Sequence, residues 1–313
     1  MKNFARGVLY ASTMMVVFGV AASADNEGQG QPEVRVHGMN PHDAGGAPTV
    51  GSTGVVTPKI TYHGGSLIQT PTAYYILYGN WNQSNGSDNA AGVTILEDFA
   101  RGVGGTDYFK INSTYNAGGF SITGNVVYGG KTTDAYSRGS RLRDADILSI
   151  VTSALSSGRL PYSLDAVYFV LTSSDVSEQS GFCSKYCGWH TSANTSFGRV
   201  RYSFVGNANR CLSSCAAQTA GPNGNAGVDG MISVVAHELE EAVTDPDPSS
   251  GWVDSRGAEN ADKCAWTFGT TTLGTNGAYY NMSFGGRNWL IQRNLVQNTS
   301  GDVCKRGLTA TQP

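Results

Sequence analysis

The segment 237–241 carries side chains that could bind a metal ion and activate water. Its sequence is His-Glu-Leu-Glu-Glu, so that a histidine and a glutamate stand four residues apart. In a helix, His237 and Glu241 would lie one turn from each other and could hold a single ion together. Glu238 would point away from that line, so we expect it not to be a ligand but to accept a proton from a metal-bound water. The segment therefore predicts a metal site on a helix, with Glu238 as the general base.

This HExxE pattern resembles the HExxH helix of zinc proteases, with a glutamate where those enzymes have the second histidine. In that chemistry the metal lowers the pKa of its bound water, and the glutamate passes the proton to the leaving group. A second carboxylate ligand weakens the metal as a Lewis acid and makes the site less selective for zinc over manganese or calcium. We therefore expect one divalent ion, zinc first, with manganese and calcium as open alternatives. The competing interpretation is an acidic, solvated helix face on which HExxE arises by chance.

A third ligand is expected from the acidic segment that follows the helix. Residues 259–262 are Glu-Asn-Ala-Asp and lie close to Cys264. A helix with two ligands and a downstream acid resembles the thermolysin-like layout, in which an E-x-x-x-D segment supplies a third ligand and a supporting acid. The segment here is one residue shorter, so Glu259 and Asp262 are both candidates. The alternative is a surface loop rich in Asp and Asn, which could bind calcium.

Two further histidines stand near predicted core elements. His63 lies just before the first predicted strand, and His190 ends a loop that carries two cysteines. Either side chain could line a cleft and polarise a substrate carbonyl, and for each the alternative is a hydrogen-bonded structural histidine. His37 and His42 fall in an N-terminal segment without apolar periodicity and are not expected to take part.

All cysteines of the chain lie in its C-terminal half. They are Cys183, Cys187, Cys211, Cys215, Cys264 and Cys304. An even number in an exported chain predicts disulfides, whereas the two CxxxC pairs could be zinc ligands in a reducing compartment. We expect disulfides, with Cys264 paired to Cys304. The two CxxxC pairs would close locally or with each other.

The N-terminus has the order of a secretory signal peptide. A short basic region precedes an apolar stretch from Gly7 to Ala21, and Ala22-Ser23-Ala24 is a small-x-small cleavage signature. The apolar stretch is short for a bilayer span. We expect residues 1–24 to be a signal peptide, 25–59 a flexible pro-segment or linker, and 60–313 one globular domain. The mature protein would lie outside the cell, in the periplasm or in the cell wall.

The composition argues against several classes of partner. The 313 residues carry 21 basic and 24 acidic side chains, a formal net charge of -3, which provides no basic face for a nucleic acid. Apolar residues make up 40%, which is enough to bury a core. We expect a monomer that acts on peptide or cell-wall material outside the cell, without nucleic-acid partners and without a membrane partner once the signal is removed.

Apolar periodicity predicts helices that alternate with buried strands after residue 60. The predicted strands cover 72–78, 122–128, 165–171 and 200–205, the predicted helices cover 92–103, 141–157 and 230–243, and a hairpin is expected in 278–296 around Gly285-Gly286. Asp229 is the expected N-cap of the last helix, and Pro246 ends it. This alternation predicts a single α/β (or α+β) domain of three layers around a central, mostly parallel sheet, with long loops held by disulfides.

Several motifs in a fixed order resemble one family of secreted proteins. They are Tyr62-His63-Gly64-Gly65, the strand from Tyr75 to Asn80, Leu171-Thr172-Ser173-Ser174-Asp175-Val176, the segment from Gly181 to His190, and Val228-Asp229-Gly230-Met231. Together they resemble the exordium or phosphate-induced protein 1 family over about residues 60–304, and the HExxE helix is expected to mark a microbial-type member. The resemblance implies a role at the cell wall, since plant members are associated with the wall and with growth and nutrient responses.

Two functions of different classes follow from these observations. The first is a secreted metal-dependent hydrolase, most simply a zinc metallopeptidase that uses the ligands and base given above. The second is a non-enzymatic extracellular protein that binds cell-wall glycan or a surface partner, with any metal in a structural role. Trp81, Trp189 and Trp252 could stack on sugars if they are exposed, although large aromatic side chains are more often buried.

Overall fold

Five strands form the central sheet of the computed structural model, which describes Met1, Gly38, Asn40 and residues 46–311. The strands are β1 (Thr72–Tyr78), β2 (Val127–Asp134), β3 (Ala166–Thr172), β4 (Gly188–Thr195) and β5 (Gly198–Val205). Their order across the sheet is β2-β1-β3-β5-β4. Strands β2, β1, β3 and β5 are parallel, and β4 is an edge strand antiparallel to β5. The mostly parallel central sheet is confirmed.

Helices cover both faces of this sheet. Within the described residues they are α1 (Ala90–Gly102), α2 (Asp144–Ser156), α3 (Leu212–Cys215) and α4 (Ala226–Thr244), with 3-10 turns at Phe109–Thr114, Ala208–Arg210 and Asp262–Cys264. Helix α4 packs against α1 and against β3, β4 and β5, while α2 packs against β3 and β5. Because crossovers between parallel strands are right-handed, α1 and α2 lie on opposite faces. The three-layer arrangement is therefore confirmed.

Two successive tyrosines of β1 place their rings on opposite faces of the sheet. Tyr75 contacts the ring of Tyr128, whose hydroxyl donates to Glu97 of α1. The adjacent Tyr74 stacks on Tyr168 on the other face of the sheet. Successive side chains of a strand point to opposite faces, so β1 contributes large rings to both apolar layers. This double burial explains why β1 and β3 are continuous apolar runs.

Short strand pairs complete the domain. They join Thr61–Tyr62 to Trp252–Val253, Arg141–Leu142 to Ser177–Glu178, Thr272–Leu273 to Tyr279–Tyr280, Met282–Phe284 to Arg287–Trp289, and Asn294–Val296 to Val303–Lys305. The predicted hairpin around Gly285-Gly286 is confirmed. Both of its turn glycines have positive φ, 61° and 77°, a conformation that suits glycine. This hairpin and the Asn294–Val296 strand belong to the C-terminal segment that returns towards α4.

Two sequence predictions about elements were wrong, and one strand was missed. The predicted strand 122–128 lies instead at Val127–Asp134, because this edge strand has one exposed face and an alternating, partly polar sequence. Strand β4 was missed because its sequence is mainly small and polar, although most of it is buried. The N-cap of α4 is Asn225, whose side chain accepts from the N–H of Val228, whereas Asp229 lies in the first turn.

The N-terminal part of the described chain lies against the domain. The N–H groups of Phe268 and Gly269 donate to the carbonyls of Thr49 and Val50, and Val56 N–H donates to Asp302 O. The expected boundary at residue 60 stays a prediction, and the predicted signal peptide lies outside the described residues apart from Met1. Among the residues that the structure describes, no helix is long and apolar enough to cross a membrane.

All the cysteines form disulfides. Cys264 is bonded to Cys304, as expected. The other two bonds are Cys183–Cys211 and Cys187–Cys215, so the two CxxxC segments join each other rather than closing locally. Both bonds tie the segment before β4 to the segment around α3. The cysteines are therefore structural, and zinc binding by thiolates is excluded for them.

Candidate metal centre

Helix α4 is buried on all sides, including its polar side chains. It lies between the sheet and the C-terminal segment, and His237, Glu238, Glu240 and Glu241 are all at most 1% exposed. A helix that is buried all round normally carries apolar residues throughout. The interpretation of the HExxE segment as a solvated face is therefore wrong, and its charges need partners inside the protein.

One group of candidate ligands gathers around His237. Its Nε2 lies 2.9 Å from Glu241 Oε1 and 3.6 Å from Asp262 Oδ1. The backbone N–H of Asp262 donates to Glu241 Oε1 over 3.1 Å, and Gln292 contacts Nδ1 of the imidazole. Asp262 begins a 3-10 turn that ends at Cys264, one partner of a disulfide. The two candidate ligands of the helix and one of the two candidate downstream acids thus lie close together, and metal binding by them stays a prediction.

A second group gathers around His190, which reaches α4 from strand β4. Its Nδ1 lies 3.3 Å from Glu238 Oε2 and 3.6 Å from Glu241 Oε2. Its Nε2 lies 3.2 Å from the carbonyl oxygen of Asp245 and 3.6 Å from Glu259 Oε1. In each of the two groups, His190–Glu238–Glu241 and His237–Glu241–Asp262, the candidate ligand atoms lie within 4.8 Å of one another. Glu241 belongs to both.

A glycine lets α4 approach the sheet closely enough for this contact. A Cβ atom at Gly188 would lie 2.6 Å from Val234 Cγ1 and 3.2 Å from Glu238 Oε1. Gly188 and His190 are two residues apart on β4 and point to the same face. Because the glycine has no side chain, α4 can pack against the strand, and the imidazole two residues later reaches the glutamates.

We name the combined set the acid–histidine cluster. Its members are His190, His237, Glu238, Glu241, Glu259 and Asp262. Five of these side chains are at most 2% exposed, and the Asp262 side chain is 13% exposed. Four carboxylates thus face two imidazoles in a space that excludes most water. Even with both imidazoles protonated, the ionised cluster would keep an excess of negative charge.

The pKa values respond to this crowding. Burial lowers the pKa of both imidazoles, but the nearby carboxylates, Glu259 for His190 and Glu241 for His237, outweigh it and raise both pKa values well above the usual range. Burial raises the pKa of Glu259 well above its usual range. Burial and the charge of Glu241 raise the pKa of Asp262 to about 6. The acids and imidazoles therefore hold protons that a metal ion would displace.

Glu241 is the exception among the acids. Burial disfavours its charged form, but His237 and His190 outweigh this effect and lower its pKa to about 2. Glu241 is thus the carboxylate that stays ionised most readily, and it is the one that faces both imidazoles. A ligand must be deprotonated to bind a metal, so Glu241 is the best-prepared ligand of the cluster.

Two carboxylate oxygens of the cluster lack a hydrogen-bond donor. Within the part of the chain that the structure describes, Glu238 Oε1 and Glu259 Oε1 are buried and have no hydrogen-bond partner. An unpaired buried acceptor typically costs about 1–3 kcal/mol, and more if it is charged. A cation would supply the missing partner. The donor set of imidazole nitrogens and carboxylate oxygens fits zinc or manganese better than calcium, which prefers oxygen ligands alone.

Other residues that the sequence singled out lie elsewhere. His63 is exposed, and its ring is hydrogen-bonded to Thr61 Oγ1 rather than to the cluster. Trp189 and Trp252 are buried, so neither is a surface platform for a sugar, and Trp81 is half-buried. His190, for which a structural role was the alternative, contacts three acids of the cluster. Its segment is small and polar and gives no sign that the imidazole faces α4.

Comparisons with known proteins identify the family of this chain. A family model for the phosphate-induced protein 1 conserved region matches residues 60–304, which is most of the chain. The chain belongs to the phosphate-induced protein 1 family. The matched part of this chain therefore contains the whole sheet, α4 and every member of the acid–histidine cluster.

Relatives of this family member include two plant proteins. The protein EXORDIUM-like 3 of Arabidopsis thaliana is 30% identical over 283 residues, which cover 77% of this chain and 81% of the relative. The protein EXORDIUM-like 5 of the same plant is 27% identical over 285 residues, 77% of this chain and 76% of the relative. No solved structure matches the chain. With three disulfides, this family member has the features of an extracellular protein.

Proposed function

We propose that this phosphate-induced protein 1 family member is an exported protein that binds a divalent metal ion in the acid–histidine cluster and uses it for hydrolysis. The observation that carries the proposal is the excess of buried carboxylates: four acids face two imidazoles, and two of their oxygens have no donor among the described residues. Buried charges in proteins are paired or bind metals. A divalent cation is the partner that this set of side chains fits.

The ion would be held by His237, Glu241 and Asp262. Asp262 is preferred to Glu259 because its Oδ1 lies near His237 Nε2, whereas Glu259 Oε1 lies near the other histidine. Zinc is the first candidate and manganese the second, since the group combines one imidazole with two carboxylates. When bound, the ion would supply Lewis-acid chemistry. Three protein ligands leave a coordination position for water or substrate, which is typical of catalytic sites.

The residues beside these ligands suit proton transfer. Glu241 is paired with the imidazole of His237. Glu238, the residue after His237, instead faces His190, whose Nδ1 lies 3.3 Å from its Oε2. Burial raises the pKa of Glu238, which suits a group that must both take and release a proton. We assign Glu238 as the base that takes the proton from water, and His190 as the residue that positions it. The substrate class would be peptide or other amide bonds outside the cell.

A second function is favoured by a different observation. Structural metal sites are closed, whereas catalytic sites keep an open position. Five of the six side chains in the cluster are almost fully buried, and only Asp262 has appreciable exposure. A metal ion that ties α4 to β4 and to the 259–262 segment would stabilise a non-enzymatic extracellular protein that binds cell-wall glycan or a surface partner.

Two measurements separate these functions. Metal analysis of the purified protein should find a divalent ion that is lost in His237→Ala and Glu241→Ala, because each variant removes one of few ligands. Glu238→Gln should keep that ion and the melting temperature but lower the hydrolysis of a peptide library by about 10²–10⁴-fold.

The matched control is Glu240→Gln on the same helix. Glu240 is equally buried, and its Oε2 accepts from Asn294 rather than facing a histidine. Burial raises the pKa of Glu240 well above its usual range, so a neutral glutamine is a close replacement. Hydrolysis should be retained in this variant. A wild type that binds metal and cleaves nothing would favour the structural role. A wild type without any metal would refute the hydrolase and leave only a binding protein that needs no metal.

A further inference from the structure

The carboxylate of Glu241 lies between the two histidines of the cluster. Its Oε1 is 2.9 Å from His237 Nε2, and its Oε2 is 3.6 Å from His190 Nδ1. Each oxygen therefore belongs to a different group of three candidate ligands. A carboxylate that offers one oxygen to each of two ions is typical of sites in which the ions lie about 3.5–4 Å apart.

The hydrogen bonds of His190 leave the right nitrogen for a metal. Its Nε2 lies 3.2 Å from the carbonyl oxygen of Asp245, which can only accept a hydrogen bond. An Nε2–H that donates to this carbonyl leaves the lone pair on Nδ1, the nitrogen that faces Glu238 and Glu241. Metal-binding histidines commonly donate their other N–H to a backbone carbonyl or carboxylate in this way.

The charge balance and an unpaired oxygen also favour a second ion. Four carboxylates carry four negative charges when ionised, so one divalent ion with neutral imidazoles leaves two of them uncompensated, and a second ion would balance them. In addition, Glu238 Oε1 is buried without a hydrogen-bond partner among the described residues. This oxygen belongs to a side chain whose other oxygen already faces His190.

We propose that His190, Glu238 and Glu241 form a second divalent-metal site, and that an ion bound there inhibits hydrolysis. The inference rests on the proposed function, in which the first ion is held by His237, Glu241 and Asp262 and Glu238 is the base. The second ion binds more weakly because it enters beside a like charge. Glu238, which the sequence excluded as a ligand, is a ligand of this second ion only.

Inhibition follows from the two uses of Glu238. The charge of a divalent ion bound to the Glu238 carboxylate makes it a much weaker base, so it no longer takes the proton from water. Hydrolysis should therefore rise as the first site fills and then fall as the second fills. Loss of a general base lowers rates by about 10²–10⁴-fold, so we expect a fall of at least about 10²-fold at saturating metal.

The test begins with wild-type protein. Metal-free protein is titrated with Mn²⁺ and with Zn²⁺, and bound metal per chain, calorimetric affinities and peptide hydrolysis are followed together. We expect two binding steps of unequal affinity, a bell-shaped dependence of hydrolysis on metal concentration, and an electron paramagnetic resonance spectrum of two coupled Mn²⁺ ions. These measurements need no variant, so a folding defect cannot obscure the result.

Variants then assign the two steps. His190→Ala should lose the weaker step alone, His237→Ala the stronger, and His63→Ala, which changes an exposed histidine outside the cluster, neither. One ion per chain, no coupling and no fall in hydrolysis would overturn the second site and leave the proposed function standing. Two ions without a fall in hydrolysis would confirm the site and overturn the inhibition. No bound ion would overturn the proposed function itself.

Discussion

Two buried carboxylate regions of this molecule differ in what surrounds them. Asp88 is fully buried, and its oxygens accept from the side-chain amides of Asn85 and Asn207 over 2.6 Å each and from both the N–H and the hydroxyl of Ser174. In the acid–histidine cluster, by contrast, the carboxylates face one another and share two imidazoles. The first region has a donor for each acceptor, and the second has more acceptors than donors.

The difference teaches how a buried acid can be assigned a role. A carboxylate that receives several hydrogen bonds from neutral donors is stabilised by the fold itself and needs nothing else. Carboxylates that are crowded together without donors raise the free energy of the folded state unless protons or cations neutralise them. The hydrogen bonds of Asp88 therefore join the start of α1 to the end of β3, whereas the crowded acids of the cluster carry our proposal of a bound cation.

Chelation should distinguish the two regions most strongly. We expect a chelator to lower the free energy of unfolding of the metal-loaded wild type by about 4 kcal/mol, the value for a ligand present at a thousand times its Kd. Denaturant unfolding with and without chelator measures this difference. Chelation should lower the free energy of unfolding of Asp88→Ala by the same amount, because this variant keeps every residue of the cluster. An unchanged wild type in chelator would contradict a metal site in the cluster.

A loss of about 3 kcal/mol is expected for Asp88→Ala with or without metal. The change removes the charged acceptor shared by the amides of Asn85 and Asn207 and by the N–H of Ser174. A hydrogen bond to a charged group contributes about 1.5–3 kcal/mol, and the two amides keep their contacts with serine hydroxyls. Equilibrium unfolding at fixed metal concentration measures the loss. Asp165→Ala, which changes an exposed carboxylate, is the matched control and should stay within about 0.5 kcal/mol of wild type. If the difference in stability between Asp88→Ala and wild type changed with metal concentration, the contrast between the two regions would be wrong.

The pH dependence of the chelated protein should reveal the excess acids. The pKa of Asp262 is raised from 3.8 to about 6, so the folded state holds a proton that the unfolded state loses. The contribution of Asp262 to stability is therefore fully present below about pH 4 and falls by about 1–3 kcal/mol as the pH rises to 6. The raised pKa of His237 acts in the same direction above pH 6.5. Asp262→Asn should flatten the fall between pH 4 and 6, as should saturation of the wild type with metal.

The smallest effect is expected for Ser174→Ala. The change removes one hydroxyl donor to Asp88 but keeps the backbone N–H that bonds the same carboxylate. A single hydrogen bond to a charged group contributes about 1.5–3 kcal/mol, and the remaining donors should limit the loss to about 1 kcal/mol. Thermal unfolding at several metal concentrations should give a constant difference from wild type. A loss that vanished on chelation would show that the two regions are coupled.

Much of the fold was accessible from the sequence because its signals are local. Strand β1 lies where its aromatic run predicted, and α2 and α4 were found from their apolar periodicity. The polar edge strands were the weak point. Strand β4 has a small, polar sequence because its buried face contacts charged side chains of α4 rather than an apolar layer. Hydrophobic patterns cannot detect such a strand.

The candidate site could likewise be predicted only in part. The spacing of His237 and Glu241 on one helix was readable, because four residues make about one helical turn. Asp262 was one of two candidates, and its position beside His237 depends on the turn that the Cys264–Cys304 disulfide holds. His190 was weighed as a structural residue, and nothing in its own segment shows that it faces α4.

The sequence by itself determined strand β1, helix α2, the even set of cysteines and the helix that carries HExxE. Only the tertiary structure decided that His190 joins this helix, because its direction depends on the register of β4 against β5, where His190 lies opposite Ser203. A shift of one residue in that register would turn the imidazole to the other face of the sheet. Registers and disulfide partners arise from contacts between distant segments, and the chemistry of this cluster depends on them.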